Sequence, residues 1–401
     1  MFFKKYVVLS LLTLVVNIAM VLFGGGACAA VQTIAVLGVH NDPRYAARQI
    51  DRAYPDHPTG RAVDAASVAV EESEPEMAAV GQSLIVKPFL AANALDLARV
   101  MMQIKAAKIQ YVLLDLPVEA IRQVVADTSA GPGAPIFFNI GASADDLRGL
   151  ACSALVLHTY PSASMLSDAL AQFLASKSWT QLLVLHGQKP QDKLQLDALV
   201  RSAKRYGLKL SKALPFKISG DPRERDLGNT RLLTNDKNHD VVVVLDTEGE
   251  FARTLQYNTQ WPRPVVGAVG LVPMAWHPRW ERNGAPQLNR RFGRLTHRTM
   301  TSQDWAAWLA VKAVVAVLSE RPQSRLAEQL QLLRSGKILI DGFKGPALSF
   351  RAWDGQLRQP ILLGHADGVA ASAPFEGVLH PSEVLDTLGI DESETACRAH
   401  P

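Results

Sequence analysis

The chain has 401 residues, of which 48% are hydrophobic and 20% are charged, with 42 Lys and Arg against 38 Asp and Glu. This composition excludes a disordered chain, a collagen-like chain and a small disulfide scaffold, and the length is sufficient for two or three hydrophobic cores. Two of the basic residues lie in the first thirty positions, which contain no acid, so 40 basic side chains face 38 acidic ones in the rest of the chain. That balance requires neither a nucleic acid nor an anionic membrane surface as a partner.

Residues 1–30 have the pattern of an export signal. Lys4 and Lys5 precede an apolar run over 6–23, and small residues follow. Plain cleavage is the first interpretation, and the alternatives are lipid modification of Cys28 and an uncleaved anchor. No later stretch has the roughly 18 uninterrupted apolar residues that cross a bilayer. We therefore expect a protein that is soluble in the periplasm.

From residue 31 to about residue 270, short β-branched runs alternate with amphipathic segments. Several strands, such as 240–246, are apolar on both faces, which is typical of a strand buried between two helical layers. The pattern predicts α/β architecture with parallel, doubly wound sheets. The predicted strands are 33–39, 83–87, 110–115, 136–140, 154–158, 181–186, 208–215, 240–246 and 265–269. The predicted helices are 60–72, 93–107, 118–127, 162–177, 191–206 and 248–257.

Nine such strands are too many for one small core, so we predict two lobes, with the chain changing lobe near 158–161. The acidic run 71–76 is interpreted as a helix end and turn. Beyond a Trp-rich segment, a helix over 305–320 has Ser302 or Asp304 as its N-cap candidate, and a second helix follows. Strand-turn-strand patterns then resume over 338–363.

Two cysteines, Cys152 and Cys397, lie beyond the export signal. Their spacing fits neither a zinc site nor a redox motif. In an oxidising compartment they are candidates for a disulfide, and two unrelated thiols are the alternative.

Signatures of catalysis are absent from the sequence. There is no phosphate-binding glycine loop, no zinc-protease motif and no nucleophile elbow, so we expect no enzyme, no metal site and no catalytic cofactor. Polar side chains instead follow the predicted strands, where α/β sheets bind ligands. A structural alternative holds for each of them, because Asp and Asn also cap helices and form turns. The candidates at strand ends are Arg44, Tyr45, Asn139, Ser143, His158 and Asp246.

The whole chain beyond the signal resembles type I periplasmic binding proteins of the leucine/isoleucine/valine-binding class. The resemblance lies in 157–162, where that class leaves its first lobe, and in 343–350 with 354–356, which resembles its closing hairpin. It implies two doubly wound lobes joined by a multi-strand hinge. The implied division is a signal over 1–30, a first lobe over 31–158 plus 275–340, a second lobe over 159–274 plus 341–372, and a tail over 373–401.

A narrower resemblance is to substrate-binding proteins associated with pyrroloquinoline quinone (PQQ) dependent alcohol oxidation. It rests on segments 42–45, 114–117, 144–148 with Cys152, and 261–264, and above all on the Trp-rich stretch from 270 to 308. Both Cys152 and Cys397 have counterparts in that family, which implies a disulfide between them.

PQQ is a flat tricarboxylate, so a site for it requires an aromatic face and cations. Trp276, Trp280 and Arg282 are the candidates in the Trp-rich segment, and we expect Trp276 to stack on the ligand. Trp276 and Trp280 are four residues apart, however, and a core stripe is the alternative. Lys189 is left out of the predicted site because exposed lysines are common.

These resemblances predict a monomeric periplasmic component of an ABC importer that serves an inner-membrane permease and binds a small anionic or aromatic ligand, with PQQ as first choice. The loop over 139–143 lacks most of the hydroxyl groups that hold a ligand carboxylate in amino-acid binders. An amino acid or short amide is therefore the alternative ligand. The alternative role is a periplasmic sensor or accessory protein of a quinoprotein alcohol dehydrogenase.

Overall fold

The computed structural model describes residues 30–46, 54–128 and 133–398. The predicted export signal lies outside the described residues except for Ala30, where the first strand begins. Among the described residues, no helix combines the length and apolar character that a membrane span requires.

Lobe 1 is built on a five-stranded parallel sheet with strand order β2-β1-β3-β4-β5. Alternate residues of the interior strand β1 enter two hydrophobic clusters, with Ile34 and Val36 in one and Ala35 and Leu37 in the other. Both faces of the sheet are therefore covered, as the apolar runs predict. The strands are β1 (Ala30–Val39), β2 (Gln82–Ala91), β3 (Tyr111–Asp115), β4 (Ile136–Asn139) and β5 (Val156–His158), and the helices are α1 (Val63–Ala79), α2 (Leu97–Ala106) and α3 (Val118–Thr128).

Lobe 2 has a four-stranded parallel sheet with strand order β7-β6-β8-β9. Its central strand β8 is completely buried, and its valines divide between two clusters, one on each face. Two doubly wound lobes are thus present, and the predicted fold class is confirmed. The strands are β6 (Gln181–His186), β7 (Lys209–Pro215), β8 (Val241–Leu245) and β9 (Val265–Gly267), and the helices are α4 (Ala163–Ser176), α5 (Pro190–Arg205), α6 (Thr230–Leu233) and α7 (Ala252–Leu255).

The remaining elements complete both lobes. Helix α9 packs along α1 of lobe 1, and the antiparallel sheet β10-β14-β15 packs on α4 of lobe 2. A small sheet, β11-β12-β13, lies between these groups along the chain. The elements are β10 (Val272–Met274), α8 (Ala285–Thr296), α9 (Ser302–Glu320), α10 (Leu326–Arg334), β11 (Ile340–Asp341), β12 (Ala347–Phe350), β13 (Leu357–Arg358), β14 (Ile361–His365) and β15 (Gly368–Ala373).

The chain passes between the lobes at three places in the described part. It does so between β5 and α4, after β10, and between β13 and β14. The first and third passages are bonded together, because the Gln359 side-chain amide donates to the Thr159 carbonyl over 2.9 Å. The lobe boundaries given above remain a prediction, since the elements do not fix them to single residues.

Three helices differ from the sequence predictions. Helix α1 continues through the acidic run, in which a turn was expected, although Pro75 lacks a backbone donor. Packing against α9 explains this, because Glu72 accepts a hydrogen bond from the Trp308 indole over 3.0 Å and Ser73 accepts one from Lys312 over 2.8 Å. The predicted helix 248–257 shortens to α7.

The cap of α9 also differs from the prediction. Thr301 is its N-cap, and its hydroxyl accepts from the Asp304 amide, whose carboxylate accepts from the Thr301 amide over 3.0 Å. Asp304 therefore occupies the N3 position of a capping box, and Ser302 is the first helical residue.

Cys152 and Cys397 are joined in the structure, with their Cα atoms 5.6 Å apart and a separation of 245 positions in sequence. Cys152 precedes β5 of lobe 1. The tail that carries Cys397 binds lobe 2, because the Gly389 amide donates to Asp168 over 2.8 Å and Arg205 donates to the Gly389 carbonyl over 2.8 Å.

We predict that the purified exported protein, denatured without reductant, contains no free thiol at these two cysteines. A bridge closing so long a loop contributes roughly 4–5 kcal/mol to stability on the chain-entropy description. Thiol titration before and after reduction counts the free cysteines and so tests the bridge. Two free thiols in the unreduced sample would contradict the pairing.

Candidate ligand-binding cleft

A charged cluster stands at the carboxyl ends of β1 and β3. Asp42 follows β1 and accepts the Arg44 backbone amide over 2.9 Å, which starts a short 3-10 turn. This turn directs the Arg44 guanidinium to Asp42, at 2.6 Å, and to Asp115 at the end of β3, at 3.0 Å. The Tyr45 hydroxyl donates to the same Asp115 carboxylate over 2.8 Å.

Gln303, which the sequence analysis missed, completes this cluster. From the first turn of α9, its side-chain amide donates to Asp115 over 2.6 Å and to the Tyr45 hydroxyl over 2.7 Å. Gly141, after β4, permits the approach, because a Cβ there would lie 3.2 Å from an Arg44 nitrogen. We call Asp42, Arg44, Tyr45, Asp115 and Gln303 the Arg44 cluster.

Arg61 adds a second guanidinium beside the Arg44 cluster. It lies 4.0 Å from the centre of the Tyr45 ring, and one nitrogen is 3.8 Å from Asp115. Both cations are partly exposed, with 28% of the Arg44 side chain and 26% of the Arg61 side chain accessible, whereas Asp42 and Asp115 are 1% and 3% accessible. Both carboxylates are therefore buried more deeply than the two arginine side chains that pair with them.

Electrostatics keep Arg44 charged. Burial by itself would lower the pKa of Arg44, but the neighbouring Asp115 and Asp42 carboxylates raise it above its ordinary value. The pKa of Tyr45 is also raised, first by burial and then by Asp115. Arg44 is thus a permanent cation, and Tyr45 keeps its proton.

Lobe 2 approaches lobe 1 at Tyr54. The Tyr54 hydroxyl donates to the Thr247 carbonyl over 2.9 Å. A Cβ on Gly249, whose φ is +69°, would lie 2.8 Å from the Tyr54 ring. Lys189 and Glu248 form an ion pair on the same rim of lobe 2. The lobes therefore touch at the turn after β8, and Gly249 leaves room for that contact.

Asp56, two residues from Tyr54, is partly buried at the amino end of α9. Its carboxylate accepts the Ser302 amide over 2.8 Å. Burial raises the pKa of Asp56 from 3.8 to about 7, against the lowering effect of the bonds from Ser302.

We predict that Asp56 makes the protein less stable as pH rises. A carboxyl whose pKa is higher in the folded state than in the unfolded state stabilises the fold while it is protonated. That contribution is fully present below about pH 4 and is lost as the pH rises through about 7. Asp56→Asn lacks this titration, so its unfolding free energy relative to wild type should rise by about 2 kcal/mol between pH 5 and pH 8, with partial hydration moderating the effect. Urea unfolding measures the difference. The exposed Asp197→Asn on α5 is the control, and equal pH profiles for the two variants would contradict the role of Asp56.

Of the predicted site residues, Arg44 and Tyr45 lie together in the Arg44 cluster. Asn139 and His158 are instead buried under the loop after β4 and stabilise it. Asn139 is completely buried and exchanges two hydrogen bonds with the Ala142 backbone, over 2.8 and 2.9 Å. Its amide nitrogen is 3.0 Å from the His158 ring, and burial lowers the pKa of that histidine. Ser143 is half-buried, and its carbonyl accepts the Ala163 amide of lobe 2 over 2.7 Å.

The other predicted contacts are corrected by their surroundings. Asp246 is buried and bonds to the amides of Glu248 and Ala252, so it fixes the turn before α7. Trp276 is completely buried, with its ring parallel to Trp305 at 6.1 Å and its indole donating to Asn289 over 2.9 Å.

Trp280 and Arg282 complete the Trp-rich candidates. The Trp280 indole is mostly buried and donates to the Phe343 carbonyl over 3.1 Å. Arg282 is exposed, with its guanidinium 5.9 Å from the Trp280 ring. Because Trp276 belongs to the core, the prediction that it offers a stacking face to the ligand is wrong. The core-stripe alternative describes the two tryptophans.

Solved structures of periplasmic binding proteins share this fold. The amino acid ABC transporter substrate-binding protein of Pseudomonas fluorescens superimposes with a TM-score of 0.68 at 14% identity, covering 92% of this chain and 99% of that one. A leucine-, isoleucine-, valine-, threonine- and alanine-binding protein of Brucella ovis, in a closed conformation, gives 0.68 at 14% identity, covering 87% and 95%. A Rhodopseudomonas palustris solute-binding protein in complex with benzoate gives 0.64 at 9% identity, covering 92% and 100%.

No family model matches the sequence, and no curated protein matches it significantly. At sequence identities of 9–14%, these superpositions show a shared fold and nothing more. The chain therefore has the fold of type I periplasmic binding proteins of the leucine and branched-chain amino acid class.

Proposed function

We propose that this protein is the periplasmic solute-binding component of an ABC importer and closes its two lobes on a small carboxylate. It has no catalytic role in this proposal. An export signal delivers it to the periplasm, where it acts as a monomer and presents the ligand to a permease in the inner membrane. The fold supports this role, because each solved relative described above carries a solute-binding name.

The observation that carries the ligand proposal is the order of charges in the Arg44 cluster. The Arg44 and Arg61 side chains are partly exposed; Arg44 pairs with the buried Asp42 and Asp115 carboxylates, and Arg61 lies beside Asp115. Arg44 gives its Nε and one terminal nitrogen to Asp42 and Asp115, so its second terminal nitrogen is the donor that we assign to the ligand carboxylate. The carboxylates of the cluster are already bonded, which favours an anion over an ammonium group at this position. Tyr45 and Gln303 hold the Asp115 side of the site in place.

PQQ is the first candidate because of its three carboxylates and the sequence resemblance. Its aromatic face would have to rest on groups other than Trp276, and Tyr54 at the lobe contact is one such ring. An amino acid or short amide is the alternative ligand. Benzoate belongs in the same test, because a solved relative is named as binding it.

Equilibrium dialysis of the purified protein against PQQ, leucine, benzoate and a short amide, read by mass spectrometry, tests this proposal. Binding of a carboxylate and exclusion of the amide is the expected result. Preference for the uncharged amide would contradict the role of the guanidinium groups, and binding of none of them would remove support for the proposed ligand class.

We predict that the bound carboxylate also shrinks the particle. A cleft with contacts on both lobes gains the full set only when it is shut. Small-angle scattering with and without saturating carboxylate measures the radius of gyration, and the amide provides the control. An unchanged radius on binding would contradict the closing motion.

A further inference from the structure

Arg148 is a buried cation at the junction of the lobes. It ends a short 3-10 turn over Asp145–Arg148, and only 3% of the residue is exposed. Its guanidinium donates to the carbonyls of Ala142 and Ala144 over 2.9 and 3.0 Å, and to the Tyr160 carbonyl over 2.7 Å. Its Nε donates to the Gln356 side chain over 2.8 Å.

All four of these acceptors are neutral. Burial lowers the pKa of Arg148 to about 10, so it stays charged at neutral pH, and the Asp145 and Asp354 carboxylates oppose that lowering most strongly. A buried charge without a bonded counter-charge is costly, and an apolar side chain of similar volume is often the more stable choice in such a place. The bonding pattern of Arg148 therefore calls for an explanation other than stability.

The acceptors belong to three parts of the molecule that must move together. Ala142 and Ala144 lie in the loop over 139–144, which we call the β4 loop. Its Gly141 contacts the Arg44 cluster, and its Ser143 carbonyl bonds to the start of α4 in lobe 2. Tyr160 is in the first passage between the lobes. Gln356 is in the hairpin that leads to the third passage, and its amide donates to the His158 carbonyl over 3.1 Å.

We infer that Arg148 is a positioning residue that couples the β4 loop, and thus occupancy of the cleft, to the hinge. The inference rests on the proposed function for its ligand step. The planar guanidinium fork donates in several fixed directions, so it joins the loop to both passages at once. A change in the loop on binding then reaches residues 158–161 through this side chain as well as through the Asn139 carbonyl, which accepts the Thr159 and Tyr160 amides over 3.1 and 3.3 Å.

Arg334 provides a matched control. It is equally buried, at 2% exposed, and its guanidinium also donates to carbonyls, those of Ala154, Val156 and Ala352. None of its recorded acceptors lies in the β4 loop. Arg334→Met therefore removes a buried cation of the same kind and leaves the proposed connection in place.

The test is amide hydrogen exchange of Arg148→Met, Arg148→Lys, Arg334→Met and wild type, without ligand. Losing bonds to a charged donor should speed exchange in the β4 loop and in residues 158–161 together, by about tenfold or more, in both Arg148 variants. Arg334→Met should leave the β4 loop unchanged. Lys restoring normal exchange, an unchanged β4 loop in Arg148→Met, or an equal effect of Arg334→Met would each overturn the inference.

The second measurement is amide exchange with saturating PQQ, or with benzoate if wild type does not bind PQQ. Replacing a residue with a merely structural role would not change the pattern of ligand-induced protection. Wild type should gain protection in both segments, whereas Arg148→Met should gain it in the β4 loop and several-fold less than wild type in residues 158–161. Equal protection of residues 158–161 in that variant and wild type would overturn the coupling. If neither Arg148 variant folds, Gln356→Met removes the acceptor of the Arg148 Nε together with the Gln356 bonds to the His158, Tyr160 and Leu357 carbonyls, so this variant is judged by exchange in the β4 loop alone. If wild type binds neither of these probes nor leucine, the proposed function fails, and the ligand-free exchange still decides whether Arg148 joins the two segments.

Discussion

Replacing Trp276 with Ala is expected to lower the free energy of unfolding by about 3–5 kcal/mol, the usual cost of removing a large aromatic ring from a core. The ring is completely buried against Trp305, and its indole satisfies Asn289, which would lose that donor in the variant. The part of the variant that remains folded should keep the carboxylate affinity of wild type. Denaturant unfolding and equilibrium dialysis measure the two quantities on one preparation.

Trp261→Ala is the control for the loss of a Trp side chain. Trp261 lies in lobe 2, is only half-buried, and bonds to the Asn235 carbonyl over 2.9 Å. Its replacement should cost less than half as much stability. A Trp276 variant with nearly normal stability and much weaker binding would return this residue to the ligand site.

Arg44→Met is expected to weaken carboxylate binding by ten- to a hundredfold. Hydrogen bonds to a charged group contribute roughly 1.5–3 kcal/mol, and each 1.4 kcal/mol is about a factor of ten in affinity. Arg44→Lys should recover only part of the loss, because an ammonium group cannot reproduce the paired donors of the guanidinium. Equilibrium dialysis against the carboxylate that binds wild type measures both variants.

Arg99→Met controls for the loss of a positive charge on the same lobe. The Arg99 side chain, on α2, is 57% exposed and pairs with Asp96 in the turn before that helix. Its replacement should leave affinity unchanged. If the Arg99 and Arg44 variants lose affinity equally, the general field of the lobe attracts the ligand, and the Arg44 cluster is not its binding site.

The strands of both lobes, though not their order in the sheets, follow from local signals that the sequence carries. The β8 valines are apolar on both faces, and this pattern alone predicts a central strand between two helical layers. Helix α1 could not be delimited in this way. Glu72 and Ser73 bond to Trp308 and Lys312 more than 230 residues away, and those contacts extend the helix through Pro75.

The site was predicted in part for the same reason. Arg44 follows a strand end, so its place near the cleft could be inferred from the chain around it. Gln303 could not, because it reaches Asp115 across 188 positions of sequence. Its position between the two N-cap candidates of a predicted helix, Ser302 and Asp304, was the one signal available. Trp276 and Trp280 suit a core or a ligand face equally well by spacing, and the decision depends on Trp305 and Asn289 elsewhere in the fold.

In the closing motion proposed here, the bond between Cys152 and Cys397 acts as a covalent tether between the two lobes. The tail is held on lobe 2 at Gly389 and covalently on lobe 1, so the eight steps from Gly389 to Cys397 must absorb every change of the angle between the lobes. A chain of that length spans at most about 26–29 Å when fully extended. The range of lobe rotation is therefore limited by a covalent tether as well as by the three passages of the hinge, and reduction of one bond would release that limit without removing a single contact from the cleft.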